Sequence, residues 1–393
     1  MDDRSPLPAA PAAPDSLLRL ARRLAADVEA GRPQRGPAFE IDVQRYLDPQ
    51  RFAGELAVMR RGPVILAHGS QLPVSGRLAL DRLGLPLLLT RDAGGVVHGH
   101  YNVCRHRGMR MVEAGPAAAC RNLVCRYHGW VYGLDGRLTG VRHRDAFDEL
   151  PAGLRAFPVV ERHGLIWGWP EAEGREPPHA LEPWLSGIGA ELDYFGLGDS
   201  VAFGHYEVER KSNWKLVVEA FMEIYHIASL HRNTIDRFFL DSVAVSEPAG
   251  EHIRSAVGRR SLSGRSPDAP LDLRNDCTFT HYLFPNTILI VHPDYVSLVT
   301  LWPTAPDRVG WSHTLLIPAA QNNAAMREHW EKSFRLIEQG VFQSEDLEAC
   351  EGIQAGLLSG ANQALHCGRL EHAIGGFHRE WDRRLGLAAE AAR

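Results

Sequence analysis

Between residues 15 and 28, apolar side chains recur at Leu17, Leu20, Leu24 and Val28 with arginines opposite, the 3.6-residue period of an amphipathic helix. Gly31 and Pro33 close it. From about Gly62 the pattern turns to short apolar runs punctuated by Gly and Pro, at 63–66, 85–89 and 165–169, which predict a small β-rich unit. Residues 171–184 are acidic and proline-bearing and read as the start of a linker. A strand-like stretch near Val201 precedes a helix running from about Asn213 into Tyr225 and His226. Residues 246–275, rich in Gly, Arg, Ser and Pro, read as a loop. The alternating runs 278–283, 287–292, 296–302 and 311–317 predict an antiparallel sheet. A long helical region then starts near Asn323 and includes Trp330, Phe334 and Ile337.

The predicted division is a disordered tail (1–14), an N-terminal part of the larger unit (15–61), the β-rich unit (62–170), a linker (171–200) and the rest of the larger unit (201–393). The fold class is α+β: a β-domain inserted into a domain whose antiparallel sheet wraps a long helix. No internal repeat is visible.

Composition narrows the function classes. An apolar fraction of 45%, a charged fraction of 23% and a formal charge of -5 describe an ordinary globular chain with no basic face for nucleic acid or anionic membranes. Six cysteines in 393 residues are too sparse for a disulfide scaffold. There is no apolar leader near the N-terminus and no run of the roughly 18 apolar residues that a membrane helix needs. The expected location is the cytoplasm.

Two clusters carry chemistry. Cys104-Arg-His106 is followed after 18 residues by Cys125-Arg-Tyr-His128, each pair beside a glycine, Gly108 or Gly129. Two thiolates and two imidazoles suit a mixed-ligand [2Fe–2S] cluster, whose histidines raise its potential to about −150 to +300 mV. The same set suits a structural zinc ion. Spacing leaves both open, although Cys-x-His is tighter than common zinc knuckles and the β-rich setting favours the cluster. Farther on, His226 and His231 stand five residues apart, a step that turns a regular helix by roughly 140°. Both reach one ion only if the helix ends or distorts between them. Asp346 is the best candidate carboxylate; two imidazoles and one carboxylate on one face of Fe(II) leave positions for O2 and substrate. Taken alone, the histidines read equally as core or surface residues, and Asp346 as part of a solvated acidic face with Glu345, Glu348 and Glu351.

Asn102-Val103-Cys104-Arg105-His106-Arg107-Gly108 and Cys125-Arg126-Tyr127-His128-Gly129-Trp130, with Asp135-Gly136, resemble the Rieske domain of ring-hydroxylating oxygenase α subunits. Asn213-Trp214-Lys215, Glu223-Ile224-Tyr225-His226 with His231, Phe284-Pro285-Asn286 and Glu345-Asp346 with Gln354-x-Gly356 resemble that family's catalytic domain, in family order over roughly residues 40–380. The resemblance implies a Rieske domain inserted into a helix-grip (START/Bet v1-like) domain. It implies one iron on Cys104 and Cys125, the other on His106 and His128, and a mononuclear Fe(II) on His226, His231 and Asp346. Glu223 stands where the family has an acidic bridge, usually Asp, between His226 and His128 of a neighbouring subunit. That bridge implies a homotrimer, with or without a small β subunit. Ala220 stands where Asn is common, so no role of that Asn carries over.

The resemblance implies O2-dependent hydroxylation or oxidative demethylation of an aromatic or other ring substrate. Electrons would come from NAD(P)H through a separate reductase or ferredoxin, since no Gly-rich dinucleotide fingerprint or second cluster spacing is present. The competing readings are N-demethylation of a quaternary ammonium compound such as a betaine or carnitine, toward which Glu223 tilts, an electron-transfer protein without oxygenase activity, and a zinc-stabilised binding module. His281, His292, Phe279, Phe284 and Trp302, on the predicted sheet, are candidates for lining the substrate pocket.

Overall fold

The computed structural model describes residues 12–265 and 269–387, so most of the expected tail, residues 1–11, lies outside the described residues. The helix Asp15–Glu29 buries Leu17, Leu20, Ala21, Leu24 and Ala25, the stripe its period predicts. That stripe packs on strands more than two hundred residues later, Phe239–Ala249 and His252–Arg259. Strand Phe39–Asp42 pairs antiparallel with Ala364–Cys367, and helix Pro49–Arg61 packs on helix His372–Leu385. The N-terminal segment is thus fastened to the C-terminal half, with the β-rich segment emerging between them.

That segment carries three small antiparallel sheets. One has five strands, with Leu85–Arg91 between Gly76–Arg82 and Val97–Tyr101. A second joins Val64–His68, Leu165–Gly168 and Val159–Arg162. The third, Leu123–Val124, Val131–Tyr132 and Leu138–Gly140, supports one of the Cys/His loops.

The larger domain is built on a seven-stranded antiparallel sheet in the order Ser200–Arg210, Arg308–Pro318, Val296–Ala305, Thr287–Val291, Cys277–Leu283, His252–Arg259, Phe239–Ala249. One face covers a continuous helical run over residues 327–358, with Trp330, Ile337, Val341, Phe342 and Leu347 buried against Val299, Leu301, Trp311 and Leu315. The other face forms a second core with the helix Asp15–Glu29.

Two expectations need correction. The segment 246–275, expected as a loop, supplies part of the edge strand Phe239–Ala249 and its neighbour His252–Arg259. Their cohesion comes from cross-strand polar pairs rather than apolar alternation: Glu247 opposite Arg254 at 2.8 Å, Ser246 opposite Ser255 at 2.7 Å. The stretch 171–200, expected as a linker, contains helices Leu181–Trp184 and Gly189–Tyr194. These bury Leu181, Leu185, Ile188 and Leu192 in the second core, and Glu191 receives Arg254 and His281.

The Asn213-Trp214-Lys215 motif anchors the helix that leads to the site. The Asn213 side chain accepts from Lys215 N–H at 2.9 Å, capping helix Trp214–Ala220, and donates to the Tyr46 and Pro306 carbonyls. Lys215 and Glu55, each 1% exposed, pair at 2.7 Å, and Trp214 Nε1 donates to the same carboxylate. Leaving one of these charges unpartnered costs about 3–5 kcal/mol, so the motif ties this helix to Pro49–Arg61.

Candidate functional site

The two Cys/His loops are built alike. Cys104 N–H donates to the Met109 carbonyl and Gly108 N–H to the Cys104 carbonyl; Cys125 N–H donates to Trp130 and Gly129 N–H to Cys125. Gly108 and Gly129 sit at φ +73 and φ +70, where a side chain would be strained, which is why each turn carries glycine. The thiols lie at the base, Cys104 2% and Cys125 1% exposed, while His106 and His128 stand half-buried at the tips. The imidazoles approach with Nδ1 atoms 3.0 Å apart, which turns the opposite ring edges outward. His106 stacks on Trp130 at 4.9 Å.

The Tyr132 hydroxyl lies 3.4 Å from Cys104 Sγ and accepts from Arg105 N–H, a contact to a donor sulfur that the motif does not reveal. Cysteine meets cysteine and histidine meets histidine, yet no three of these four donor atoms lie within 4.8 Å of one another. A single tetrahedral ion needs a tighter set. Two irons bridged by sulfide fit the separation, with one pair of donors each.

The second set is tighter. Among the described residues it is the one group of three His, Cys, Asp or Glu side chains whose donor atoms all lie within 4.8 Å: His226, His231 and Asp346. The helix expected to run from Asn213 into His226 stops at Ala220. A single turn, Ile227–Leu230, follows, with His226 just before it and His231 just after. The 140° problem of a five-residue step is removed because neither histidine lies inside a continuous helix. Asp346 ends a π-helical segment, Arg335–Asp346, whose Leu347 N–H bonds back to Phe342 O, five residues away. Such a wide turn within a helix commonly marks a functional site.

Asp346 Oδ1 lies 3.1 Å from His231 Nε2 and 3.6 Å from His226 Nε2. Each histidine is held from behind: Glu223 bonds His226 Nδ1, and Glu345 bonds His231 Nδ1 at 2.7 Å. Glu223 also accepts from the Tyr225 and His226 amides, and Glu345 from Thr234 Oγ1 at 2.8 Å. Protons on both Nδ1 atoms leave lone pairs on Nε2, aimed at a carboxylate only 3% exposed. Three electron-rich donors within 4.8 Å of one another can serve as vertices of one coordination sphere with metal–ligand bonds of ~2.1 Å. A divalent cation fits. Burial would lower the His231 pKa, but Asp346 and Glu345 outweigh it and raise it. Glu345, quoted in the Glu345-Asp346 motif but given no role there, is the residue that sequence reasoning missed.

A cavity of ≈ 710 Å³, its open mouth included, adjoins the three donors. Its helical wall includes Phe221, Ile337, Val341 and Phe342; its sheet wall is one face of four strands. Across that face run Ala244, Val257 and Thr278, and in the next row Ser246, Ser255, Thr280 and Ile290. Of the five expected pocket residues only His292 lines the cavity. Phe279 and His281 point from the same strand into the second core, where His281 bonds Glu191, because odd and even positions face opposite sides. Phe284 packs on Trp381, and Trp302 lies under the Arg82 guanidinium.

A model of the Rieske [2Fe-2S] domain matches residues 62–158, and one of the ring hydroxylating alpha subunit (catalytic domain) matches residues 197–387. Choline monooxygenase from Amaranthus tricolor is 26% identical over 85% of this chain and 75% of its own length. The large oxygenase component of a 2,4-dinitrotoluene dioxygenase system from Burkholderia sp. is 33% identical over 48% of this chain, which spans 44% of that relative. A solved quaternary ammonium Rieske monooxygenase superposes with a TM-score of 0.76 at 20% identity, covering 92% of this chain and 98% of that one, a likeness of fold. A [2Fe–2S] domain joined to such a catalytic domain defines an oxidoreductase that uses a cluster and a mononuclear iron to react with O2. The chain belongs to the family of Rieske oxygenase α subunits. Among the described residues no helix is long and apolar enough to cross a membrane.

Proposed function

We propose that this chain is the oxygenase component that hydroxylates an apolar, ring-containing substrate held in the 710 Å³ cavity. The observation that carries this reading is the cavity wall. Its carboxylates, among the described residues, are Glu223 and Asp346, both at the donor end; apart from the imidazoles of His226, His231 and His292 and the Met222 thioether, the rest is aliphatic, aromatic or hydroxylic. Such a wall suits a neutral molecule that gains by leaving water. In this reading residues 62–170 form the cluster domain, and 15–61 with 201–393 the catalytic domain. Cys104 and Cys125 hold one iron of the cluster, His106 and His128 the other, and His226, His231 and Asp346 the mononuclear iron. When bound, these groups supply single electrons and the activation of O2.

The chain's own residues do the rest. Glu223 and Glu345 keep the Nδ1 protons and so fix both imidazoles with Nε2 free to bind. The apolar wall excludes water and orients the substrate. The outward edges of His106 and His128 are where electrons leave for a neighbouring copy. Glu223, 12% exposed at its side chain, would receive that copy's His128, which makes a trimer the working assembly. A separate reductase or ferredoxin would feed the cluster. Six free cysteines suit a reducing cytoplasm.

Three measurements test this. Oxygen uptake with a surrogate reductase is expected to rise with neutral aromatic compounds and not with choline, glycine betaine or carnitine. Glu223 and the quaternary ammonium relatives favour the other reading, N-demethylation, but a carboxylate-bearing betaine finds no cationic partner on this wall. Formaldehyde release coupled to one of those amines would overturn the ring-substrate proposal. Glu223→Gln is expected to slow reoxidation of the reduced cluster in single-turnover experiments while both centres stay loaded; wild-type kinetics would remove the bridge. Glu345→Ala is expected to weaken retention of the mononuclear iron about 10- to 100-fold in chelator competition, with the cluster's colour unchanged.

A further inference from the structure

We propose that His292 is the specificity-determining residue of the cavity, donating a hydrogen bond to a neutral oxygen (carbonyl, ether or phenolic) on the substrate's non-reacting part. The inference rests on the reading of this cavity as the substrate site and names the chemistry it selects.

The backbone around His292 is fully engaged. Its N–H donates to the Tyr295 carbonyl at 3.0 Å, and its own carbonyl accepts from Arg274 at 2.9 Å. The ring stacks on Tyr295, centroids 4.2 Å apart and planes 23° apart. The imidazole is thus held in one orientation on the cavity wall, two residues beyond Ile290 on the same strand face and beside Thr278. Yet the side chain makes no hydrogen bond, and Nε2 is buried without a partner. A buried polar group left unpaired costs about 1–3 kcal/mol, so a rigid, unpaired imidazole in a binding cavity is explained best by a partner that arrives with the ligand.

The charge around it selects the partner. Burial, then the Arg259 guanidinium, pushes the His292 pKa down to about 3, so the ring is neutral and offers one donor and one acceptor. Arg259 is occupied, donating to Thr278 Oγ1 at 3.1 Å and lying over Phe239 at 5.7 Å; Arg274 is spent on backbone carbonyls. The Asp294 carboxylate acts on both arginines and offsets part of their charge, so the sheet end of the cavity presents no free cation. A substrate ammonium gains no partner there, and a carboxylate would lose its hydration with no free cation to offset the loss. A neutral acceptor oxygen is what the wall accommodates. The donor end, where Asp346 and the two metal-facing histidines stand, lies on the opposite, helical wall, so the bonded oxygen points away from the reacting carbon.

The test uses a shape-matched pair, indane and 1-indanone, bound to the full-length, cluster- and iron-loaded protein and followed by quenching of tryptophan fluorescence under anaerobic conditions. His292→Phe keeps a ring to stack on Tyr295 and removes the donor; His292→Asn keeps a donor. The ratio of indanone to indane affinity is expected to fall about tenfold in His292→Phe, the scale of one hydrogen bond, and to recover in part in His292→Asn. Iron content and the cluster spectrum should match wild type in both. An unchanged ratio, with both probes still binding, would overturn the role of His292 and leave the ring-substrate reading standing. Failure of both probes to bind the wild-type protein would overturn the cavity assignment and the inference together.

Discussion

Asp346→Asn is expected to empty the mononuclear site and abolish substrate-dependent oxygen uptake while sparing the cluster. The carboxylate is 3% exposed and supplies the one anionic donor facing His226 Nε2 and His231 Nε2. Two neutral imidazoles alone bind a divalent ion weakly, because the desolvated cation then has no compensating charge. Iron is expected to fall from about three per chain to about two, the cluster's pair. Asparagine is nearly isosteric, so the fold and the cluster's spectrum should be retained. That separates loss of the ion from loss of the fold. A variant that keeps its third iron and turns over normally would rule out Asp346 as a ligand, and with it the reading of the site.

Cys125→Ser is expected to remove the cluster, its visible absorption and its reduced-state EPR signal together, and to stop turnover by closing the route for electrons. The thiol is 1% exposed at the base of its loop, and the loop's backbone bonds, Cys125 N–H to Trp130 and Gly129 N–H to Cys125, hold the donor where the cluster must sit. A serine hydroxyl does not ionise to replace a thiolate toward iron at neutral pH. Because the second donor set lies in the other domain, the mononuclear iron should remain. Purified wild-type protein that is colourless and carries one zinc with no sulfide would refute the cluster assignment regardless of the variant.

The ease with which each element reads from sequence follows how local its cause is. The two Cys/His pairs are legible because each is a short turn whose donors sit two or three residues apart, with a glycine at the position of positive φ. The helix Asp15–Glu29 is legible from its own periodicity, and the four central strands as short apolar runs bounded by Pro, Asn and Asp. The strands Phe239–Ala249 and His252–Arg259 are not, since they are held by partners such as Glu247 with Arg254 and Ser246 with Ser255, which no local pattern announces. The helices at 181–194 look like linker because Pro183, Gly187 and Gly189 interrupt the helical spacing of Leu181, Trp184, Leu185, Ile188 and Leu192; the core they enter is assembled with the N-terminal helix and the large sheet.

What the amino-acid order determined by itself is the inventory: two donor sets, their residue types, and an α+β arrangement to carry them. Only the tertiary structure decided how those donors are backed and which wall they face. Glu345 has no stated role in sequence until His231 is placed 2.7 Å from it by the interruption of a helix 114 residues earlier. The pocket wall was equally hidden. Strand Cys277–Leu283 is covered on both faces, so nearly all its residues are buried and its hydrophobicity carries no phase to tell Thr278 and Thr280, which face the cavity, from Phe279 and His281, which face the second core.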